Sequence, residues 1–581
     1  MGGNYNFPDS LYIQLNLAAS SGQVLFAGVP ILIILVVAVL AGALVFEALR
    51  LHKKRFFQFN SKLKNGLAQI IKAGNTAAFW DRAIIVLIAT ALFLLLYLQA
   101  IGTERLPHVP DAVAYLFQAK TFAEGRLYAE APSNAESFPV PGIINFQGKM
   151  FSQYNFGHPL VLSIGYIINA PWLIPPVIAI CSLLLMYLLG KFLYSAKAGF
   201  FATLVLFLSP FFQMNALDFM SHNTAVFFTL LFTFSFLKLL RTRKPLYSLS
   251  AGFSLGMLLN TRPYTAFLVA LPFIVLALHD LIKNRSRAIK ILSSYLEFTA
   301  VFLIFILALL LYNNALTGNI LHMPYSLGFL ESFGFSALRP LSYGLMDISA
   351  SLAIFDKVVF GVAGGFSFIF ILVWLVKGKK NRDNLLFLGI IITIVLGYLL
   401  YKGPWMMYGP RFWLETLPFF ILLTIAGIKT LINLSVDIFP VAGRHYLRQF
   451  MAIVIPAFFA CVLLTGTLNW LSPVETEGFY PEFTPHTIGE LKGFNFANGN
   501  LVKKVARMKI SNAVVFIKHQ FNWWNYGIPA FTADFSLEGD IVYAVDLGEE
   551  KNKKVMEMYP DRDYYSGDYD TAEVSRYKIT E

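Results

Sequence analysis

The chain has 581 residues, of which 57% are hydrophobic and only 14% charged, with a mean hydropathy of +0.61. Soluble domains carry about 25% charged residues, whereas runs of roughly 20 apolar residues, enough to cross about 30 Å of hydrocarbon, recur here; this excludes a soluble globular protein. The net charge of +12 implies no nucleic acid, because the basic residues sort by loop as membrane topology requires.

Taken in order, about 12 transmembrane helices are predicted, near 25–49, 82–101, 172–191, 197–213, 222–240, 246–260, 263–282, 293–313, 356–376, 384–401, 411–432 and 449–470. Alternate loops then hold 25 Lys and Arg on one side and 8 on the other, and the positive-inside rule makes the richer side cytoplasmic. Both ends fall outside. Residues 1–24 contain no Lys or Arg, so the first span reads as a retained anchor rather than a signal peptide. The fold class is an all-α polytopic membrane bundle with a small C-terminal extracytoplasmic α/β domain. Residues 1–81 form an N-terminal anchor helix and basic cytoplasmic linker, 82–470 the transmembrane domain with exterior loops 102–158 and 314–355, and 471–581 the exterior domain.

Between the spans, the apolar segment 159–171 is short and ends at Pro171, which suggests an interfacial or re-entrant helix. Gly252/Gly256 and Gly361/Gly365 make small-xxx-small pairs suited to close helix packing. Cys181 and Cys461 both fall inside spans, so neither a disulfide framework nor a metal-thiolate site is implied. In the last hundred residues, Leu501–Met508 and Glu549–Met558 read as helices. Ala513–Ile517 and Ile541–Val545 read as buried strands.

The polar residues with chemical potential gather at exterior ends. Asp111 opens the first loop in His108-Val109-Pro110-Asp111 and could act as a general base; preceding Ala112–Ala123, it could equally cap a helix. Tyr154 and His158, in Tyr154-Asn155-Phe156-Gly157-His158-Pro159, could position a substrate or serve only as interfacial side chains. Asp218 and His222 are four apart, so on a helix they would share a face; with Asp111 they could hold Mg, Mn or Zn, or make an ordinary cap and hydrogen bond. Arg262, Arg411 and Lys402 lie at exterior boundaries, where guanidinium and ammonium groups bind phosphate or snorkel to headgroups. The sequence has no G-x-x-x-x-G-K-[ST] motif, so no nucleotide cofactor is implied. Asp561-x-Asp563 and Asp568-x-Asp570 read as solvated charge.

At these residues the chain resembles the GT-C glycosyltransferases, membrane enzymes that take sugars from polyprenyl-phosphate donors and include the protein O-mannosyltransferases and the aminoarabinose transferase of lipid A. The resemblance rests on His108-Val109-Pro110-Asp111 with Tyr115–Lys120, Phe122–Leu127, Tyr154–Pro159, Met220-Ser221-His222, Thr261-Arg262-Pro263, Tyr312-Asn313, Thr317-Gly318, Pro324-Tyr325 and Tyr408-Gly409-Pro410-Arg411. It implies a polyprenyl-phosphate-linked sugar donor, a glycan, lipid or protein acceptor arriving from outside, inversion at the anomeric carbon, and a place in the cell (inner, cytoplasmic) membrane. It assigns Asp111 as catalytic base and Asp218 as a second acidic site. Two positions depart from the family pattern. Ala112 stands where many relatives carry a second acid, which weakens the metal site, and Asn155-Phe156 replaces an expected Pro-Pro before Gly157. The alternative from another class is a lipid-linked-glycan transporter or flippase, which would concentrate charge near the bilayer midplane.

Overall fold

The computed structural model describes residues 76–139, 142–284, 286, 288–328, 334–336, 339–360, 366–402, 407–437, 462–473, 484–495, 497–518 and 537–578. The anchor predicted at 25–49, most of the span predicted at 449–470, Cys461 and the Gly361/Gly365 pair lie outside the described residues.

Helix α1 (Ala77–Leu98) starts where the Thr76 hydroxyl accepts from Phe79 N, and runs on through a wider turn at Gln99–Thr103. A short helix α2 (Pro110–Ala123) opens on a proline at its first position, where the missing N–H leaves no partner wanting. Three strands follow, β1 (Ala129–Glu130), β2 (Ile143–Phe146) and β3 (Lys149–Ser152), in the antiparallel order β1-β3-β2. Gln147 (φ 50°) and Gly148 (φ 75°) close the β2–β3 hairpin in two residues, the left-handed pair that such a tight turn demands. Helix α3 (Gly157–Ile167) has only 11 residues and leads through one turn at Pro171–Leu173 into α4 (Ile174–Leu193). The short helix expected there is present.

The span predicted at 197–213 is broken. Helices α5 (Ala196–Leu208) and α6 (Pro210–Leu217) meet at 65°. The cause is local: Ser209, preceding a proline, is extended (ψ 119°), and Pro210 has no N–H to continue the ladder. All eight residues of α6 are buried, so the bend drives this half-helix inward. Then come α7 (Ser221–Thr242), α8 (Pro245–Thr261), α9 (Pro263–Lys283) and α10 (Ala288–Thr317). Gly252 and Gly256 let α8 touch α10. A methyl at Gly252 would lie 2.5 Å from Phe298 O, and one at Gly256 would lie 2.5 Å from the Phe305 ring.

The predicted exterior loop 314–355 and span 356–376 are also redrawn. Helix α11 (Leu341–Phe360) begins well before the expected span, and α12 (Phe366–Lys377) is a separate apolar helix. Asp347 pairs with Arg339, and Asp356 is buried in the packing. Helix α13 (Arg382–Gly397) is capped by Asn381, which accepts from Asn384 N at 2.7 Å, and α14 (Leu417–Asp437) follows the turn Arg411–Thr416. Among the described residues, seven helices are long and apolar enough to cross a membrane, or eight if α5 and α6 form one span. At the end away from α2, ion pairs tie helix to helix: Lys191 to Asp81, Arg241 to Asp383, Arg243 to Asp280.

The C-terminal residues contain α15 (Ile488–Lys492), α16 (Asn500–Arg507), β6 (Ala513–Lys518), β7 (Ile541–Val545), α17 (Glu549–Met558), β8 (Asp563–Asp568) and β9 (Val574–Arg576). The sheet order is β7-β6-β8-β9, with β6 parallel to both neighbours and β9 antiparallel. Alternate residues of β6 face opposite ways, as a strand requires. Val514 and Phe516 pack with Val555 of α17, while Val515 and Ile517 pack with Leu501 and Val505 of α16. Phe138, from the loop after α2, completes the α17 side.

Candidate active site

Chain breaks position each polar side chain. Asp111 is the second residue of α2. Val109 takes the cap position and makes no side-chain cap bond, so the capping role considered for Asp111 is not the one it plays. Its carboxylate still profits from the positive helix end, but it turns to Arg411, whose Nη1 lies 3.5 Å from Asp111 Oδ2. The Asp111 side chain keeps 19% exposure and Arg411 keeps 8%, so the pair is open on one side. Arg411 follows Tyr408 (φ 57°) and Gly409 (φ 92°), a tight turn in which Arg411 N donates to Gly409 O at 2.8 Å. Arg411 Nη1 also lies 3.8 Å from Met407 Sδ, and among the described residues its Nε has no partner.

Arg262 is the single non-helical residue between α8 and α9, forced out of the helix by Pro263. Its guanidinium is fully engaged inside the protein. Nε lies 3.2 Å from Glu415 Oε1 and 3.3 Å from Thr265 Oγ1, Nη1 contacts His222 Nε2 at 3.1 Å and Ser221 Oγ at 3.5 Å, and Nη2 donates to Tyr398 OH at 3.3 Å. Glu415 is completely buried, so Arg262 neutralises it. The two arginines share the Phe412 ring, with Arg262 Cζ at 5.4 Å and Arg411 Cζ at 5.1 Å from its centroid. Tyr398 stacks on the same ring at 4.7 Å. Tyr115, one turn beyond Asp111 on α2, donates to Ser221 Oγ at 3.1 Å and ties the acid's helix to the arginine network.

Asp218 sits at the inner end of α6, buried, its Oδ1 accepting from Phe219 N. Burial pushes its carboxyl up to about 6, with the nearby Asp111 charge adding to the rise, against hydrogen bonds from Tyr408 and Phe219 N. The folded state therefore holds a proton that the unfolded chain releases near its ordinary value of 3.8. Stability should fall as pH rises from about 4 to about 6, by up to about 3 kcal/mol from this group. Asp218→Asn should flatten that slope; thermal unfolding of the full-length protein across pH 4–8 measures it.

The predicted metal set of Asp111, Asp218 and His222 is not assembled: among the described residues no three His, Cys, Asp or Glu side chains are grouped as ligands. His222 spends Nε2 on the Arg262 cation, and its Nδ1 is 3.8 Å from Glu415. A fixed guanidinium against the imidazole opposes a divalent ion, so a metal does not fit these residues. Tyr154 does reach the site. Its ring lies 4.4 Å from Tyr115, and burial first, then the Asp111 charge, holds its phenol well above the usual range. His158 packs edge-on to Tyr115 at 4.8 Å but uses both ring nitrogens internally, Nδ1 with Thr224 Oγ1 at 2.9 Å and Nε2 with Phe219 O at 2.7 Å. It clamps α3 to the start of α7, leaving no nitrogen for a substrate. Lys402, in the short strand β5 (Tyr401–Lys402) paired with β4 (Gly334–Phe335), is exposed and, among the described residues, makes no hydrogen bond or ion pair with the site. Glu415 stands with Lys402 and Arg411 in one polar cluster of the sequence, and Tyr115 and Ser221 lie in the segments that carry the resemblance, whereas nothing in the sequence marks Tyr398, which joins the site only through its contact with Arg262.

Residues 162–312 match the sequence model of the family described as dolichyl-phosphate-mannose-protein mannosyltransferase. The chain is similar to the GT-C glycosyltransferases. The matched stretch is about a quarter of the chain; it holds Asp218, His222 and Arg262, while Asp111 and Arg411 fall on either side of it. Among solved structures, ArnT from Cupriavidus metallidurans bound to undecaprenyl phosphate is 14% identical, over 84% of this chain and 90% of that one, with a TM-score of 0.48. AglB from Archaeoglobus fulgidus, in complex with an inhibitory peptide and a dolichol-phosphate, is 12% identical over 84% and 70%, with a TM-score of 0.44. No curated protein matches in sequence.

Proposed function

We propose that the chain is an inverting glycosyltransferase that moves a sugar from a polyprenyl-phosphate donor to an acceptor on the extracytoplasmic side of the cell membrane. The reading includes the topology of about 12 spans, with the C-terminal α/β domain on the same side as the site. One observation carries it: an acid at a helix N-terminus, itself partly exposed, faces an arginine whose Nε has no partner among the described residues.

The chemistry follows from where charge moves. Asp111 takes the proton of an acceptor hydroxyl as its oxygen attacks the anomeric carbon. The bond from that carbon to the phosphate oxygen breaks on the opposite face, which inverts configuration. Negative charge builds on the departing polyprenyl phosphate, and Arg411 stabilises it with a charge-assisted, two-pronged contact. Phosphate leaves without a general acid, so the second carboxylate of a glycosidase is not needed. Arg262, by contrast, balances the buried Glu415 and holds Phe412 in place. Tyr154 lies beside the acid, where an acceptor hydroxyl would enter.

Purified full-length protein in vesicles, given a panel of undecaprenyl-phosphate-linked hexoses and pentoses with glycan, lipid and peptide acceptors, tests the proposal. Acceptor-dependent release of undecaprenyl phosphate supports it. Movement of the intact donor between leaflets, with no bond broken, would support the flippase alternative.

A further inference from the structure

Left-handed backbone turns precede both members of the reacting pair, and one short segment lies against the second turn and against the backbone on either side of the first. Ahead of Asp111, Glu104 and Arg105 hold φ of 50° and 60°; ahead of Arg411, Tyr408 and Gly409 hold 57° and 92°. Such conformations at residues with a Cβ persist only where the surroundings over-determine them. Residues 484–495 supply those surroundings for Tyr408 and Gly409, and they also hold the backbone at His108, between the first turn and Asp111. Thr484 Oγ1 accepts from Gly409 N at 3.0 Å in a buried bond, and the Phe494 ring lies 5.0 Å from Tyr408. Asn495 Nδ2 donates to His108 O at 3.0 Å. Asn495 is itself left-handed (φ 56°), a conformation asparagine tolerates better than most residues. Between the two contacts, α15 presses Ile488 so close to Gly102 that a methyl there would lie 2.3 Å from Ile488 Cδ1.

These bonds end on backbone atoms two residues from Arg411 and three from Asp111. The side chains themselves meet at 3.5 Å, too long to fix their own spacing. We infer that residues 484–495 are a positioning strap, in which Thr484 and Asn495 set the separation of Asp111 and Arg411 through the backbones of Gly409 and His108. The inference rests on the transferase reading.

A displacement of about 1 Å at a reacting pair costs about 10²-fold in rate, so the strap has a kinetic signature. Thr484→Val keeps the side chain's shape and removes its acceptor, and Asn495→Gly keeps the left-handed backbone and removes the amide. In the full-length protein in vesicles, with the undecaprenyl-phosphate-linked sugar that supports transfer, each should lower kcat by about 10–100-fold. KM for the donor should stay within about threefold of the parent, and Thr484→Ser should restore most of the rate. Thermal unfolding is recorded alongside. Parental kcat in Thr484→Val and Asn495→Gly, with Asp111→Asn inactive, overturns the strap, and so does equal impairment of Thr484→Val and Thr484→Ser, or a loss that only follows unfolding. An active Asp111→Asn would instead remove the transferase reading beneath it.

Discussion

Replacing Asp111 by Asn should reduce sugar transfer by about 10²–10⁴-fold, the usual contribution of a positioned general base, while the protein still folds and inserts. Asn matches the carboxylate in shape, and Asp111 caps nothing that Asn would release, since Val109 holds the cap position of α2. Among the described residues its ion pair is the one with Arg411, open on one side. Losing that pair leaves Arg411 with an unopposed charge, so affinity for undecaprenyl phosphate should hold or increase as the rate collapses. Equilibrium binding of undecaprenyl phosphate and initial rates of its release, measured on the same preparation, check both halves. Transfer at near-parental rate would take Asp111 out of the chemistry.

Arg411→Ala should weaken undecaprenyl phosphate binding by about 10–100-fold, because a hydrogen bond to a charged group is worth about 1.5–3 kcal/mol. It should also raise KM for the donor more than KM for the acceptor. Arg262→Ala should behave differently. Its nitrogens are all satisfied inside the protein, and removing it strands Glu415, which has no exposure, without its counter-charge. Breaking a buried ion pair costs about 3–5 kcal/mol, so this variant should fail in thermal stability before its donor affinity can be compared. A stable Arg262→Ala with weakened phosphate binding, beside an Arg411→Ala with normal binding, would exchange the roles given to the two arginines.

Both arginines look alike in sequence. Thr261-Arg262-Pro263 and Gly409-Pro410-Arg411 each put a guanidinium beside a proline at the end of an apolar run, and the same phosphate role was expected of both. Only the fold separates them, by giving Arg262 a buried glutamate, a histidine and a tyrosine while leaving Arg411 half-committed. His222 shows the same limit. Its spacing from Asp218 promised a shared helix face, but the helix starts at Ser221, so Asp218 belongs to the preceding half-helix. Lys402 is exposed to solvent rather than turned into the site.

What the sequence determined by itself was whatever depends on neighbours along the chain. Apolar runs marked the long helices, short continuous apolar stretches at Ala513–Ile517 and Ile541–Val545 marked β6 and β7, and Pro110-Asp111 marked the start of α2, whereas the break at Pro210 fell inside an expected span. What tertiary structure decided was everything set by residues hundreds of positions apart: the meeting of Asp111 with Arg411, the neutralisation of Glu415 by Arg262, and the bracing of both loops by residues 484–495. The physical reason is that periodicity and capping are local backbone properties. A side chain's charge partner and access to solvent depend instead on which distant helix ends the bundle brings together.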